Sequence, residues 1–204
     1  MGQIYKVFIN NKALTIIQSP KSFNGIWDWD NIVGLIHELE DGLVEEGTVY
    51  TNEPERVWKK ILDMHDFIIA AGGVVYNEEG KILIIERLGK WDLPKGKLEE
   101  GEDIPTCAVR EVIEECGVEN LTLGEALTST YHTYPHKGKR TLKKTYWYRM
   151  KSSDKGDLTP QAEEDISQAL WINPSDLNMV LENTYASIAE LLKEEMEWYR
   201  RNSL

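Results

Sequence analysis

The first 65 residues alternate between short apolar runs and turn-forming polar residues. Residues 4–9, IYKVFI, read as a strand, Asn10 and Asn11 as a turn, and 13–18 as a second strand, which together make a hairpin. Residues 19–30 are rich in turn formers, with Pro20, Asn24 and Gly25. Asp30 is placed to cap a helix over 31–40, with Ile32, Leu35, Ile36 and Leu39 on one face and Gly42 past its end. Residues 48–50 read as a third strand. Asn52, Glu53 and Pro54 open a second helix, from Glu55 to about His65, that turns Val57, Trp58, Ile61 and Leu62 inward. The order β-β-α-β-α predicts a small α+β unit over 1–65. Trp27 and Trp29 either stack on a ring or base, or belong to that unit's core.

Beyond residue 65 the apolar runs lengthen. Residues 67–76, FIIAAGGVVY, form a buried strand whose central small residues leave room for another backbone or a ligand. Residues 77–80 are a hairpin turn and 81–87 the next strand, closed by Glu86 and Arg87. A strand is expected within 121–134, a basic loop at 137–140 and an alternating strand at 143–150. Residues 151–164 read as a loop and 169–172 as a last strand. A helix starts at 174–177. Asn183 or Thr184 caps a terminal helix running to about Arg200, with Ile188, Leu191, Leu192 and Tyr199 on its apolar side and Glu195 flanking it.

The chemistry concentrates in 96–118, GKLEEGEDIPTCAVREVIEECGV. Its second half has helical periodicity. At 100° per residue, with Glu111 at about 0°, Glu115 falls near 40° and Glu114 near 300°, while Val112, Cys116, Val109 and Ile113 span about 100–200°. The pattern predicts Val109, Val112, Ile113 and Cys116 in a core and three carboxylates held outward together. Like charges at i,i+3 and i,i+4 cost a few tenths of a kcal/mol per pair, roughly, and Arg110 is one cation against three anions. A hard divalent cation would reverse that repulsion; a solvated acidic face is the plain alternative.

Composition narrows the setting. The chain has 204 residues and a formal net charge of −12, which suits one domain with a small addition and argues against a nucleic-acid surface. No apolar run approaches the ~20 residues of a membrane span, and the N-terminus lacks a signal peptide's apolar stretch. Cys107 and Cys116 lie nine residues apart on one helix, about 13 Å, too far to pair with each other. A reduced, cytoplasmic protein is expected.

Gly96, Glu102, Arg110, Glu111, Val112, Glu114, Glu115, Gly117 and Val118 stand at the spacing of the Nudix box, and the segment resembles that of Nudix hydrolases at every position. The resemblance covers roughly 66–176. It implies an α/β fold, the Nudix α/β/α sandwich with a mixed sheet, preceded here by the small α+β unit. It implies Mg²⁺-dependent cleavage of a diphosphate linkage, with Mn²⁺ as an alternative ion. Glu111, Glu114, Glu115 and the Gly96 carbonyl would be metal ligands, Glu111 a ligand or general base, and Arg110 a clamp on Glu102 or Glu111. Glu163 or Glu164, the latter preferred, would supply a further base or ligand.

The lead-in at 91–102, with 144–148 and 169–171, further resembles diadenosine-polyphosphate hydrolases. Lys95, Lys97, Tyr134, Lys144 and Tyr146 are candidate substrate contacts on that basis, and His132 and His136 are worth testing beside them. ADP-ribose, nucleotide sugars, oxidised nucleoside triphosphates and inositol diphosphates stay open, as does a homodimer through Trp198 and Tyr199. The rival reading is a domain that senses a nucleotide metabolite and reports through the N-terminal unit.

Overall fold

A computed structural model describes residues 4–19, 28–136 and 138–202. The expectations at Pro20, Asn24, Gly25, Trp27 and Lys137 lie outside these residues. The chain divides into two compact units, one of residues 1–68 with 130–144, the other of 69–129 with 145–204.

The first unit opens on the expected hairpin, β1 (Ile4–Ile9) and β2 (Lys12–Gln18), with Asn10 and Asn11 both at positive φ in its turn. Asparagine tolerates that region better than most residues, which is why two of them make a tight turn. α1 (Trp29–Asp41) follows, and its cap is Asp28 rather than Asp30. The Asp28 carboxylate accepts from the Asn31 amide at 2.8 Å, and Asp30 lies in the first turn. β3 (Glu46–Thr51) pairs in parallel with β2, and α2 (Pro54–Asp63) ends slightly before His65. Later in the chain, β9 (Thr130–His136) pairs in parallel with β1, so the order is β9-β1-β2-β3. Val7, Leu14, Ile16, Ile32, Ile36 and Ile61 form its core. Trp29 packs partly against that core, and the Lys60 ammonium lies 4.6 Å over its ring.

The second unit is built on β4 (Asp66–Asn77), β5 (Ile82–Arg87), β10 (Lys139–Ser152) and β11 (Ile166–Ile172), in the order β11-β5-β4-β10. Successive residues of β4 and β5 face opposite sides. Ala71, Val75, Leu83 and Ile85 meet α3 (Ile104–Cys116) through Cys107, Ala108, Val112 and Cys116. Val74, Tyr76, Ile82 and Ile84 meet α4 (Leu177–Glu182) and α5 (Ala186–Asn202) through Leu177, Val180, Ile188, Leu191 and Leu192. Coverage on both faces explains the unbroken apolar runs of these strands, and each fully buried aliphatic contributes about 1.5–3 kcal/mol. The unit is a mixed α/β layer structure with helices on both faces.

Several details differ from the sequence reading. The stretch before α3 holds two short strands, β6 (Lys90–Asp92) and β7 (Lys95–Lys97), too short to show a period. Residues 121–134 yield β8 (Leu121–Ala126) as well as β9. Lys139 and Arg140 belong to β10 rather than a loop, paired with Asp66 and Glu40. Residues 162–164 form a 3-10 turn. The room left by Gly72 and Gly73 is filled by protein: a side chain at Gly72 would strike the Pro94 carbonyl and Lys95, and one at Gly73 would meet Met150.

Candidate active site

α3 starts on Asp103, whose carboxylate accepts from the Thr106 amide at 2.8 Å, and stops at Gly117 with φ 67°. β7 runs antiparallel to β4 and sets Gly96 opposite Ala71. Gly96 faces Glu111 so closely that any side chain there would overlap the Glu111 carboxylate.

Arg110 organises the carboxylates. Its Nε and Nη2 donate to Glu102 Oε1 and Oε2, both at 2.8 Å, a two-point clamp. Its Nη1 donates to Glu111 Oε1 at 2.7 Å and to Glu114 Oε2 at 3.0 Å, and Nη2 also reaches the Lys97 carbonyl at 3.2 Å. The hydrogen bonds from Arg110 hold the Glu102 carboxyl at about 2, well below its usual range. Those same bonds, Glu102 first, raise the Arg110 guanidinium further. Of the two partners that the sequence left open, Glu102 takes the two-point contact and Glu111 a single one.

The three box carboxylates do not stand outward together. Glu114 is about half exposed, whereas Glu111 and Glu115 are buried. Ile113, expected in the core, is 41% exposed. It lines a groove of about 490 Å³ with Val109 and Leu123, edged by Arg110 and Glu114. The helix has turned its acidic arc partly inward because β7 and the end of β5 supply polar partners there. The Lys95 amide donates to Glu115 Oε2 at 2.9 Å, and Arg87 Nη1 lies 3.5 Å from Glu115 Oε1. Burial pushes Glu115 up to about 7 against the pull of Lys95 and Arg87. Burial likewise raises Glu111, with Arg110 opposing it.

Arg87 is the residue that the sequence reading missed. It closes β5, and its Nη2 reaches Glu164 Oε2 at 2.6 Å. One guanidinium therefore joins Glu164, from the 3-10 turn, to the buried Glu115. The signal available beforehand was only a charged pair at a strand end.

Lys95 is a correction. Its ammonium is buried and paired with the buried Asp92 at 2.8 Å, rather than offered to a ligand. Burial works against its charge, but Asp92 and Glu115 outweigh it and raise the ammonium. Lys97, two residues on and so on the same face of this short strand, is exposed, whereas Lys95 is held in by Asp92 and by the Glu115 carboxylate that accepts from its amide. Tyr146 packs against the core below α3. Tyr134 and Lys144 belong to the first unit, with Lys144 5.5 Å over the Tyr131 ring and Lys143 5.3 Å over the Tyr134 ring. His132 and His136 flank Tyr134, with ring centroids 5.6 and 6.0 Å away. Cys107 and Cys116 are free and buried, and burial pushes the Cys107 thiol up to about 12.

Elsewhere in the unit, Arg149 Nε and Nη2 both donate at 2.8 Å to Glu195, which is buried rather than flanking. Trp198 lies 3.5 Å from the Arg149 guanidinium carbon, and Tyr199 stacks on Tyr76, so both rings have partners within the chain.

A glutamate-bearing helix, clamped by its own arginine and seated on a glycine strand of a mixed sheet, defines the class. The NUDIX domain model matches residues 66–194, and the chain belongs to that family. An 8-oxo-(d)GTP phosphatase from Mycolicibacterium smegmatis is 38% identical over 93 residues, covering 46% of this chain and 26% of that protein. An RNA pyrophosphohydrolase from Bartonella quintana is 37% identical over 78 residues, covering 32% of this chain and 45% of that protein. The match thus spans less than half the length of either relative. Among solved structures, a C. elegans Ap4A hydrolase in a binary complex aligns with a TM-score of 0.51 and 26% identity, over 66% of this chain and 98% of that one. Among the described residues no helix is long and apolar enough to cross a membrane.

Proposed function

We propose that this chain hydrolyses the diphosphate linkage of a nucleoside-diphosphate-linked substrate with Mg²⁺, and that a dinucleoside polyphosphate is the first substrate to test. The observation that carries the reading is the Arg110 clamp on Glu102, Glu111 and Glu114, set against Gly96. The names of the relatives, a phosphatase of 8-oxo-(d)GTP, an RNA pyrophosphohydrolase and an Ap4A hydrolase, support the reaction class.

Glu111, Glu114, Glu115 and the Gly96 carbonyl are the proposed ligands. They are oxygen donors throughout, which suits Mg²⁺ or Mn²⁺ rather than a soft metal. The place that a side chain would occupy at position 96 is taken by the Glu111 carboxylate, so the strand cradles that donor. Among the described residues no three acidic, histidine or cysteine side chains converge as a ready-made cage, so the fit is one of donor chemistry. The bound ion would neutralise diphosphate charge and acidify a water. Arg110 holds Glu102 and orients Glu111 and Glu114. Glu164 is proposed to accept the proton of the attacking water as the bridging P–O bond breaks. Exposed Lys97 would meet phosphate oxygens, and Tyr146 is proposed to contact the rest of the substrate.

The test is a hydrolysis screen in Mg²⁺ over diadenosine polyphosphates, ADP-ribose, nucleotide sugars, oxidised triphosphates and inositol diphosphates, with Glu115→Gln as the blank. Turnover of a dinucleotide, lost in the blank, supports both reaction and substrate. Turnover of another class keeps the reaction and discards the substrate. Tight nucleotide binding by calorimetry without turnover overturns the hydrolase in favour of a sensor.

A further inference from the structure

We infer that Arg87 is a positioning residue that holds Glu164 toward the box carboxylates; this rests on the hydrolase reading for its kinetic consequence. The turn at 161–165 is pinned through its backbone at both ends. The Gln161 amide donates to the Glu115 carbonyl at 3.0 Å, and the Leu88 amide donates to the Asp165 carbonyl at 3.3 Å. β11 then pairs with β5 in a register that sets Ile166 opposite Arg87. These bonds place the turn next to the end of α3 but do not aim the Glu164 side chain.

Arg87 supplies the aim. Glu164 is exposed and lies between two other acids, Glu163 and Asp165. Glu111 and Glu115 add negative charge on the α3 side. Repulsion alone would turn the Glu164 carboxylate toward water. The guanidinium offsets it by standing between the two carboxylates, 2.6 Å from Glu164 and 3.5 Å from Glu115. Its planar fork can serve two carboxylates in fixed directions, which a lysine ammonium does less well. Arg87 is itself only 24% exposed and anchored at the end of a paired strand, so it is a firm post for an exposed acid.

The experiment compares wild type, Arg87→Gln, Arg87→Lys, Glu164→Gln and the double variant R87Q/E164Q on diadenosine tetraphosphate and ADP-ribose with Mg²⁺. Arg87→Gln is expected to lower kcat about tenfold to a hundredfold with KM within twofold, and Arg87→Lys to recover part of the loss. The double variant should be no slower than Glu164→Gln, because the two residues act through one carboxylate. Losses that multiply would overturn the inference, as would an unaffected Glu164→Gln. A rise in KM at unchanged kcat would make Arg87 a substrate contact instead. A crystal structure of Arg87→Gln, determined without substrate, separates this inference from the hydrolase reading. A Glu164 carboxylate swung away from Glu115 in Arg87→Gln supports positioning even if the wild type cleaves neither compound, and a Glu164 side chain that keeps its direction overturns it in either case.

Discussion

Gly96 and Glu111 occupy space that only a glycine and a carboxylate can share: the Glu111 side chain fills the position of a Cβ on residue 96. Gly96→Ala must therefore push Glu111 off its seat or move β7 from β4. The expected outcome is a fold that survives, because Gly96 is only partly buried, with kcat reduced at least tenfold. Circular dichroism and steady-state hydrolysis together check this. Wild-type activity in Gly96→Ala would show that the Glu111 position is not used.

Arg110→Lys keeps the charge and loses the fork. An ammonium cannot reach both oxygens of Glu102 while also touching Glu111 and Glu114. We expect kcat to fall about tenfold to a hundredfold, with Glu102 titrating above its present value of about 2. Carboxyl-carbon NMR titration of Glu102 and kinetics on the same variant test both halves.

Glu195→Ala should destabilise the fold without touching the chemistry. It leaves buried Arg149 without the acceptor of two hydrogen bonds, and breaking one side of a buried pair costs roughly 3–5 kcal/mol. Urea unfolding measures the loss. A change below about 1 kcal/mol would mean that Glu125, already 2.7 Å from Arg149 Nη1, takes over the pairing.

The Asp103 cap gives a pH dependence with a definite sign. The Thr106 amide bond lowers the Asp103 carboxyl relative to an ordinary aspartate. A depressed folded value means that the unfolded chain binds the proton more readily, so the cap's stabilisation is present above the unfolded value near 4 and lost as pH falls through the lower folded one. Asp103→Ala should melt a few degrees lower than wild type at pH 7. The difference should shrink as pH drops below about 4. A gap that stays constant with pH would mean that the charge of the cap contributes nothing.

Local patterns carried much of the fold. The two asparagines of the first turn, Gly42 as a helix stop, and the unbroken apolar runs of β4 and β5 each have a local cause that the chain states directly. The terms of the site were legible for the same reason, since Arg110, Glu111, Glu114 and Glu115 share one helix. What escaped was set by distant partners. Ile113 sits on the apolar arc by angle yet faces a groove, because the helix rotates to bring Glu115 to the Lys95 amide and Arg87. Lys95 looks like a surface lysine until α3 brings buried Glu115, 20 residues on, against its backbone amide and closes it in beside Asp92. Glu195 reads as a helix flank, but β10 places Arg149 against it from 46 residues away.

The sequence by itself determined which carboxylates belong together, where the helices begin and end to within a turn or so, and the family, because i,i+3 and i,i+4 spacing and capping are properties of neighbours along the chain. Tertiary structure decided which of those carboxylates are buried, which cations hold them, and that Glu164 meets Glu115 across Arg87. Burial and charge pairing depend on side chains brought together by strand register. Register is a relation between segments tens of residues apart, which no local spacing encodes.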